Sequence, residues 1–153
     1  MNFEKLTNQL QKSIGDAQSI ALGQDHTQIE PCHVLLAMLD NVEGGTSAIF
    51  EKAGFKVFEI KLKLNDEIKS LPSLKSPSGE ISISNCLIKI FNLADRSAQK
   101  KNDCFISTEV FLEAMVDEKG KITNLLSNLG DLMELKKVLT DIRGSGTVDN
   151  PNV

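Results

Sequence analysis

Apolar residues recur every three or four positions along most of the chain, which is the spacing of one helical face. Leu6, Leu10, Ile14, Ala17 and Ala21 draw the first such line, with Asn2 placed to cap the helix and Gly23 to end it. A second helix is predicted from Pro31, because a proline at the first helical position loses only an N–H that would be unpaired anyway. Ile29 before the cap and Val34 at the fourth position make a hydrophobic staple. Further helices fit Thr46–Ala53, stopped by Gly54, and Val57–Leu71, stopped by Pro72.

Residues 72–80 are rich in proline, serine and glycine and read as a turn-rich linker. Beyond them the pattern starts again. Leu87, Phe91, Ala94 and Ala98 repeat Leu10, Ile14, Ala17 and Ala21 at a constant offset of 77. Ile106 and Phe111 repeat the staple, with Ser107 now as the cap, and Ala37-Met38 returns as Ala114-Met115. Ala53-Gly54 returns as Leu129-Gly130 with the offset slipped to 76, and Leu132–Arg143 is the last helix, closed by Gly144. The chain is thus predicted to be all-α, about eight helices arranged as two pseudo-symmetric four-helix repeats packed into one domain. Repeat one spans about 1–71, the inter-repeat linker 72–83 and repeat two about 84–143, so that the domain covers 1–143. Ile81-Ser82-Ile83 is the only strand-like stretch, too short and unpartnered to count, and 144–153 reads as the start of a flexible linker.

Composition narrows the function. Seventeen basic residues against twenty-one acidic ones leave a net charge of −4, and Trp and Tyr are absent. Neither nucleic acid nor an anionic membrane has an electrostatic or stacking reason to bind. The longest clean apolar run, Val34 to Leu39, is far too short to span a bilayer. Three cysteines without CxxC spacing, and no signal-peptide pattern, point to a soluble protein of a reducing, cytoplasmic compartment.

Enzyme chemistry finds little support. A metal site would have to draw on His26, Glu30, Cys32 and His33, yet Cys32 and His33 are adjacent and cannot share a helix face. A thiol nucleophile would lack an orienting partner, and the glycine pairs lack the lysine of a Walker A loop. No cofactor is therefore assigned to this domain. A more informative signal comes from comparing the repeats. Beside the core stripe of the fifth helix runs a second line, Cys86, Ile90, Leu93 and Ser97, where repeat one has Gln9, Ser13, Asp16 and Ile20. One helix on, Val110 replaces His33. These residues would either fill the seam between the repeats or form a solvent-open apolar groove that takes segments of other proteins.

The strings Leu6-Thr7, Asp16 to Gly23, Ile29-Glu30-Pro31-Cys32-His33 and Ala98 to Glu109 resemble the Clp N-terminal repeat domain, in the version found at the front of ClpB-type AAA+ disaggregases. The Glu-Pro-x-His and Asp-x-Phe-Ile-Ser-x-Glu motifs carry the likeness, which extends over essentially the whole chain. The resemblance implies a substrate-engaging domain that delivers unfolded or aggregated clients to a hexameric ATP-driven motor working with the DnaK chaperone system. ATP and Mg belong to AAA+ modules that these 153 residues do not include. It further implies a groove at Leu93 and Val110, with Ile90 and Ser97 alongside, and a nearby polar set of Thr7, Asp103 and Glu109. Ser97 departs from the family, whose members commonly carry leucine there. Burial of Ile90, Leu93 and Val110 would contribute about 1.5–3 kcal/mol each. Association costs about 4 kcal/mol or more, so binding should be feeble, roughly millimolar to tens of micromolar. Several copies on flexible linkers would recover strength through avidity. An adaptor-docking role, as in protease-linked Clp unfoldases, is the alternative.

Overall fold

The computed structural model describes residues 2–74 and 80–152, so part of the predicted 72–80 linker lies outside the described residues. Eight α-helices are present among them: α1 (Asn8–Gly23), α2 (Pro31–Asp40), α3 (Thr46–Lys52), α4 (Val57–Ser70), α5 (Asn85–Lys100), α6 (Thr108–Asp117), α7 (Lys121–Ser127) and α8 (Leu132–Arg143). No helix of the described residues is long and apolar enough to cross a membrane.

The two halves match element for element. In each, a sixteen-residue helix (α1, α5) packs along a ten-residue one (α2, α6) through the predicted stripe: Leu10, Ile14, Ala17 and Ala21 are buried, as are Leu87, Phe91, Ala94 and Ala98. The loops after α1 and α5 turn through a left-handed residue at equivalent places, Asp25 and Asn102, both with φ of 60°. Asparagine and aspartate tolerate that conformation because their short polar side chains hydrogen-bond locally. Where the repeats meet between α3 and α8, a Cβ built on Gly130 would lie 2.6 Å from the ring of Phe55, so only glycine fits.

Two expectations need correction. The first helix does not start at Asn2, whose side chain instead caps a single 3-10 turn, Phe3–Lys5, before the chain extends through Leu6 and Thr7. Leu6 is drawn out of helical geometry because it bridges Ile106 in the other repeat. The strand-like stretch also has a partner: β2 (Ser82–Ile83) pairs in parallel with β1 (Gln28–Ile29). The two pairings are one contact made twice, since Leu6 and Ile83, like Ile29 and Ile106, are separated by the repeat offset of 77. Each repeat thus lends the residue two positions before its first long helix to the other's staple residue. The segment read as a linker start also meets the body, with Val148 buried and Pro151 accepting from the N–H of Asn8 at 2.7 Å.

Candidate functional site

In the second repeat α5 positions the candidate residues. Ser84 Oγ accepts from the N–H of Leu87 at 3.1 Å and fixes the helix start. This sets the second apolar line one step around the wheel from the core stripe. The line does not stay together. Ile90 is only 2% exposed and faces the seam between repeats, where it lines a 450 Å³ cleft with Pro31, Cys32, Leu71, Met115 and Ile122. Val110 is likewise 2% exposed. Its burial follows from the cap: Ser107 Oγ accepts from the Val110 N–H at 3.3 Å, and this third helical position turns inward in both repeats. Its counterpart His33 is fully buried, and Ser13, the counterpart of Ile90, is buried too. The apolar residues of repeat two replace buried polar ones, so Ile90 and Val110 belong to the core and not to an open groove.

Leu93 and Ser97 remain at the surface, half-buried. They share a depression of about 260 Å³ between α5 and α6, walled by Arg96 and Lys100 on one side and by Glu113, Ala114 and Asp117 on the other. Glu113 is held by Lys101 at 3.7 Å and Asp117 by Lys136 at 2.7 Å. Repeat one carries Asp16 at the place of Leu93, paired with Lys12 at 3.1 Å. The predicted contrast between repeats therefore survives at this one position.

The polar set divides as well. Thr7 and Asp103 are brought to the same edge by the pairing of the Thr7 N–H with the Ile106 carbonyl at 3.1 Å. Asp103 is the repeat-two counterpart of His26, and both sit after the left-handed turn with their N–H returned to the preceding helix. Asp103 forms an ion pair with Arg143, and its Oδ1 also accepts from the N–H of Val148 at 2.8 Å. Thr7 Oγ1, Asp103 Oδ2 and Arg143 Nη1 are buried without a hydrogen-bond partner among the described residues. Glu109, half-buried in the first turn of α6, makes no ion pair among the described residues. A second depression, of about 340 Å³, lies under Arg143 and 144–146 and shares Glu113 with the first. Leu93 and Asp103 are thus linked along one track, through Glu113 and Arg143.

The residues weighed for metal or thiol chemistry are dispersed into structural roles. His26 and His33 bond to each other at 2.9 Å, while Cys32 faces the inter-repeat cleft. Burial, then the nearby Glu67 and Glu30, push the Cys32 thiol up to about 12, which keeps it protonated and inert. Among the described residues no three metal-ligating side chains converge. Sequence reasoning missed Arg143 and Val148, which carry no local signal of their long-range partner Asp103. It also missed Phe58 and Leu62, 72% and 50% exposed and four residues apart on the face of α4 opposite Ile60, Leu64 and Ile68. That spacing was open to inspection as an apolar pair on a polar face.

Comparison with known proteins settles the kinship. The model of the Clp repeat (R) N-terminal domain matches residues 5–129. The chain belongs to this Clp repeat family. It is 37% identical over 153 residues to the chaperone protein ClpB of Pseudomonas putida (strain KT2440) and 36% identical over 154 residues to ClpB of Vibrio cholerae (strain N16961). Each match covers 99% of this chain and 18% of the relative, so the chain spans less than a fifth of those proteins. Among solved structures, the Hsp104 N-terminal domain from Candida albicans superposes with a TM-score of 0.86 at 20% identity, over 96% of this chain and 97% of that one. The complex of the ClpV N-domain with a VipB peptide aligns at a TM-score of 0.70 and 17% identity, over 91% and 89%. The Clp repeat fold is therefore shared across relatives whose sequences have diverged far more than their helix arrangement.

Proposed function

We propose that this chain is the client-engaging N-terminal domain of a ClpB-type disaggregase, and that it takes extended polypeptide in the α5–α6 depression. The observation that carries the reading is Leu93, an accessible apolar side chain between a basic and an acidic wall, at a position that repeat one keeps as Asp16. The charged walls suit a polypeptide of mixed sequence, and the single aliphatic contact supplies weak, unselective attraction. Burial of one leucine contributes about 1.5–3 kcal/mol, below the association cost. Affinity per domain should therefore be millimolar or weaker, roughly, and useful only by multiplicity. Such a domain would deliver clients to a hexameric AAA+ motor cooperating with the DnaK system. The ClpV N-domain, solved with a VipB peptide, offers a precedent for peptide binding on this fold.

The test is a titration of the isotopically labelled chain with a permanently unfolded polypeptide such as reduced casein. Signals of Leu93, Ser97 and Glu113 should shift, and Leu93→Asp should abolish the shifts while the helical circular dichroism stays unchanged. Full retention of the shifts in Leu93→Asp would overturn the assignment. Stoichiometric binding of one folded protein without any response to casein would favour the adaptor-docking alternative.

A further inference from the structure

The segment after α8 lies in a slot suited to extended polypeptide. Val148, 7% exposed, has every backbone polar group matched: its N–H donates to Asp103 Oδ1 at 2.8 Å, and its carbonyl accepts from Cys104 at 2.8 Å and from Phe105 at 3.2 Å. Three residues on, the carbonyl of Pro151 accepts from the N–H of Asn8 at 2.7 Å. Cys104 Sγ reaches Asp149 Oδ1 at 3.5 Å, and the Asn8 amide bonds that of Asn152. The receiving groups belong to the domain body. Asn8 is the first residue of α1, whose N–H has no partner within the helix. The amides of Cys104 and Phe105 sit just before the Ile106 bridge.

These contacts ask little of a ligand. It needs an extended backbone, one aliphatic side chain at the place of Val148, and a carbonyl three residues later at a residue that need not offer an N–H. The fit is also incomplete. Thr7 Oγ1, Asp103 Oδ2 and Arg143 Nη1 stay buried and unpartnered beside the slot, and unmatched buried polar atoms oppose the burial that leaves them so. Each such atom subtracts from the net stability of the docked arrangement. Glu113 connects the neighbouring depressions, which puts the slot at the far end of the track from Leu93.

We infer that this slot recognises an extended segment of client polypeptide, and that residues 147–152 fill it as an intramolecular stand-in which a client must displace. The client half of this inference rests on the proposed function; the docking of the tail does not. A tethered competitor is present at high effective concentration, so a lone chain in dilute solution loses to it, whereas a dense aggregate offering many segments wins.

The experiment uses the full chain with Val148→Asp and, separately, Val148→Gly. Amide hydrogen exchange at Asn8, Cys104 and Phe105 should accelerate about tenfold or more in both variants, while α5 and α6 keep their protection. A synthetic peptide of residues 145–152 should then shift the Cys104 and Phe105 signals of Val148→Asp, at concentrations that leave the parent chain unaffected. Unchanged exchange in both variants, or peptide shifts equal in parent and variant or absent from both, overturns the slot. Casein should shift Cys104 and Phe105 more in Val148→Asp than in the parent. If casein moves Leu93 but never the slot, the client half of the inference fails and the proposed function stands. If casein moves neither, that reading fails too, and the peptide result still decides whether the slot binds polypeptide.

Discussion

His33 donates its Nε2–H to Nδ1 of His26 across 2.9 Å. The direction is set by a third group: the N–H of Glu30 donates to His33 Nδ1 at 2.9 Å, so that nitrogen must be the acceptor and the proton sits on Nε2. Glu30 and His33 together form the capping box of α2, and a protonated His33 would point an N–H at an N–H.

This arrangement makes a pH prediction with a definite sign. Burial, then the neighbouring His26, lower His33 from 6.5 to about 4. Between those values the unfolded chain binds a proton that the folded chain refuses, so stability is complete above about pH 6.5 and declines as pH falls toward 4. The loss should be on the order of 2–3 kcal/mol. Urea midpoints at pH 7.5 and pH 5 measure it. His33→Val, which copies repeat two, should have a smaller difference between the two pH values despite a lower midpoint at pH 7.5.

Ile90 and Leu93 are three residues apart and should fail differently. Ile90→Ala removes core packing on the inter-repeat seam and should cost about 2–4 kcal/mol in denaturant stability. Leu93→Ala should change stability by less than about 1 kcal/mol, because its side chain is half in water. Client shifts should weaken in Leu93→Ala and persist in Ile90→Ala under conditions where that variant is folded.

Ser97→Leu enlarges the apolar part of the proposed client site. It adds aliphatic surface beside Leu93, in the same depression. At about 25 cal/mol per Å² of apolar area removed from water, client affinity should rise by about three- to tenfold. Isotope-edited titration against the parent chain reads the change directly, and equal affinities would argue that the client lies elsewhere.

Gly130→Ala tests the closeness of the two halves. The added methyl group would meet the Phe55 ring at 2.6 Å, and Phe55 is itself buried edge-on against Phe50, with ring centroids 5.4 Å apart. The ring cannot step back freely, so the substitution should destabilise by about 1–3 kcal/mol. Gly146→Ala, which meets nothing within 4 Å, is the control and should be nearly neutral.

The helices were legible because each writes its own period and stop signals: Leu132–Arg143 and the start of α2 at Pro31 lie where the pattern puts them. The duplication was legible for the same reason, since a repeat is visible in one dimension. What escaped depends on partners distant in sequence. Two-residue strands carry almost no local signal, and the loss of helix before Asn8 follows from a bridge to Ile106, which no local window contains. The width of an apolar stripe likewise could not say which of its members face water. Ile90 and Leu93 belong to one line, and only the placement of α2, α4 and α7 around the cleft seals the first and leaves the second open. The polar residues of repeat one misled in a specific way: Ser13 and His33 suggested a wet surface, yet both are interior, the histidine matched by hydrogen bonds.

The exchange of Leu6 for Ile83 between the staples has a consequence for separating the two halves. Each half borrows from its twin the short extended segment that lies against its own loop. Severing the chain between the halves should therefore leave two sticky fragments that regain solubility only on recombining, which makes this fold a natural candidate for split-protein complementation.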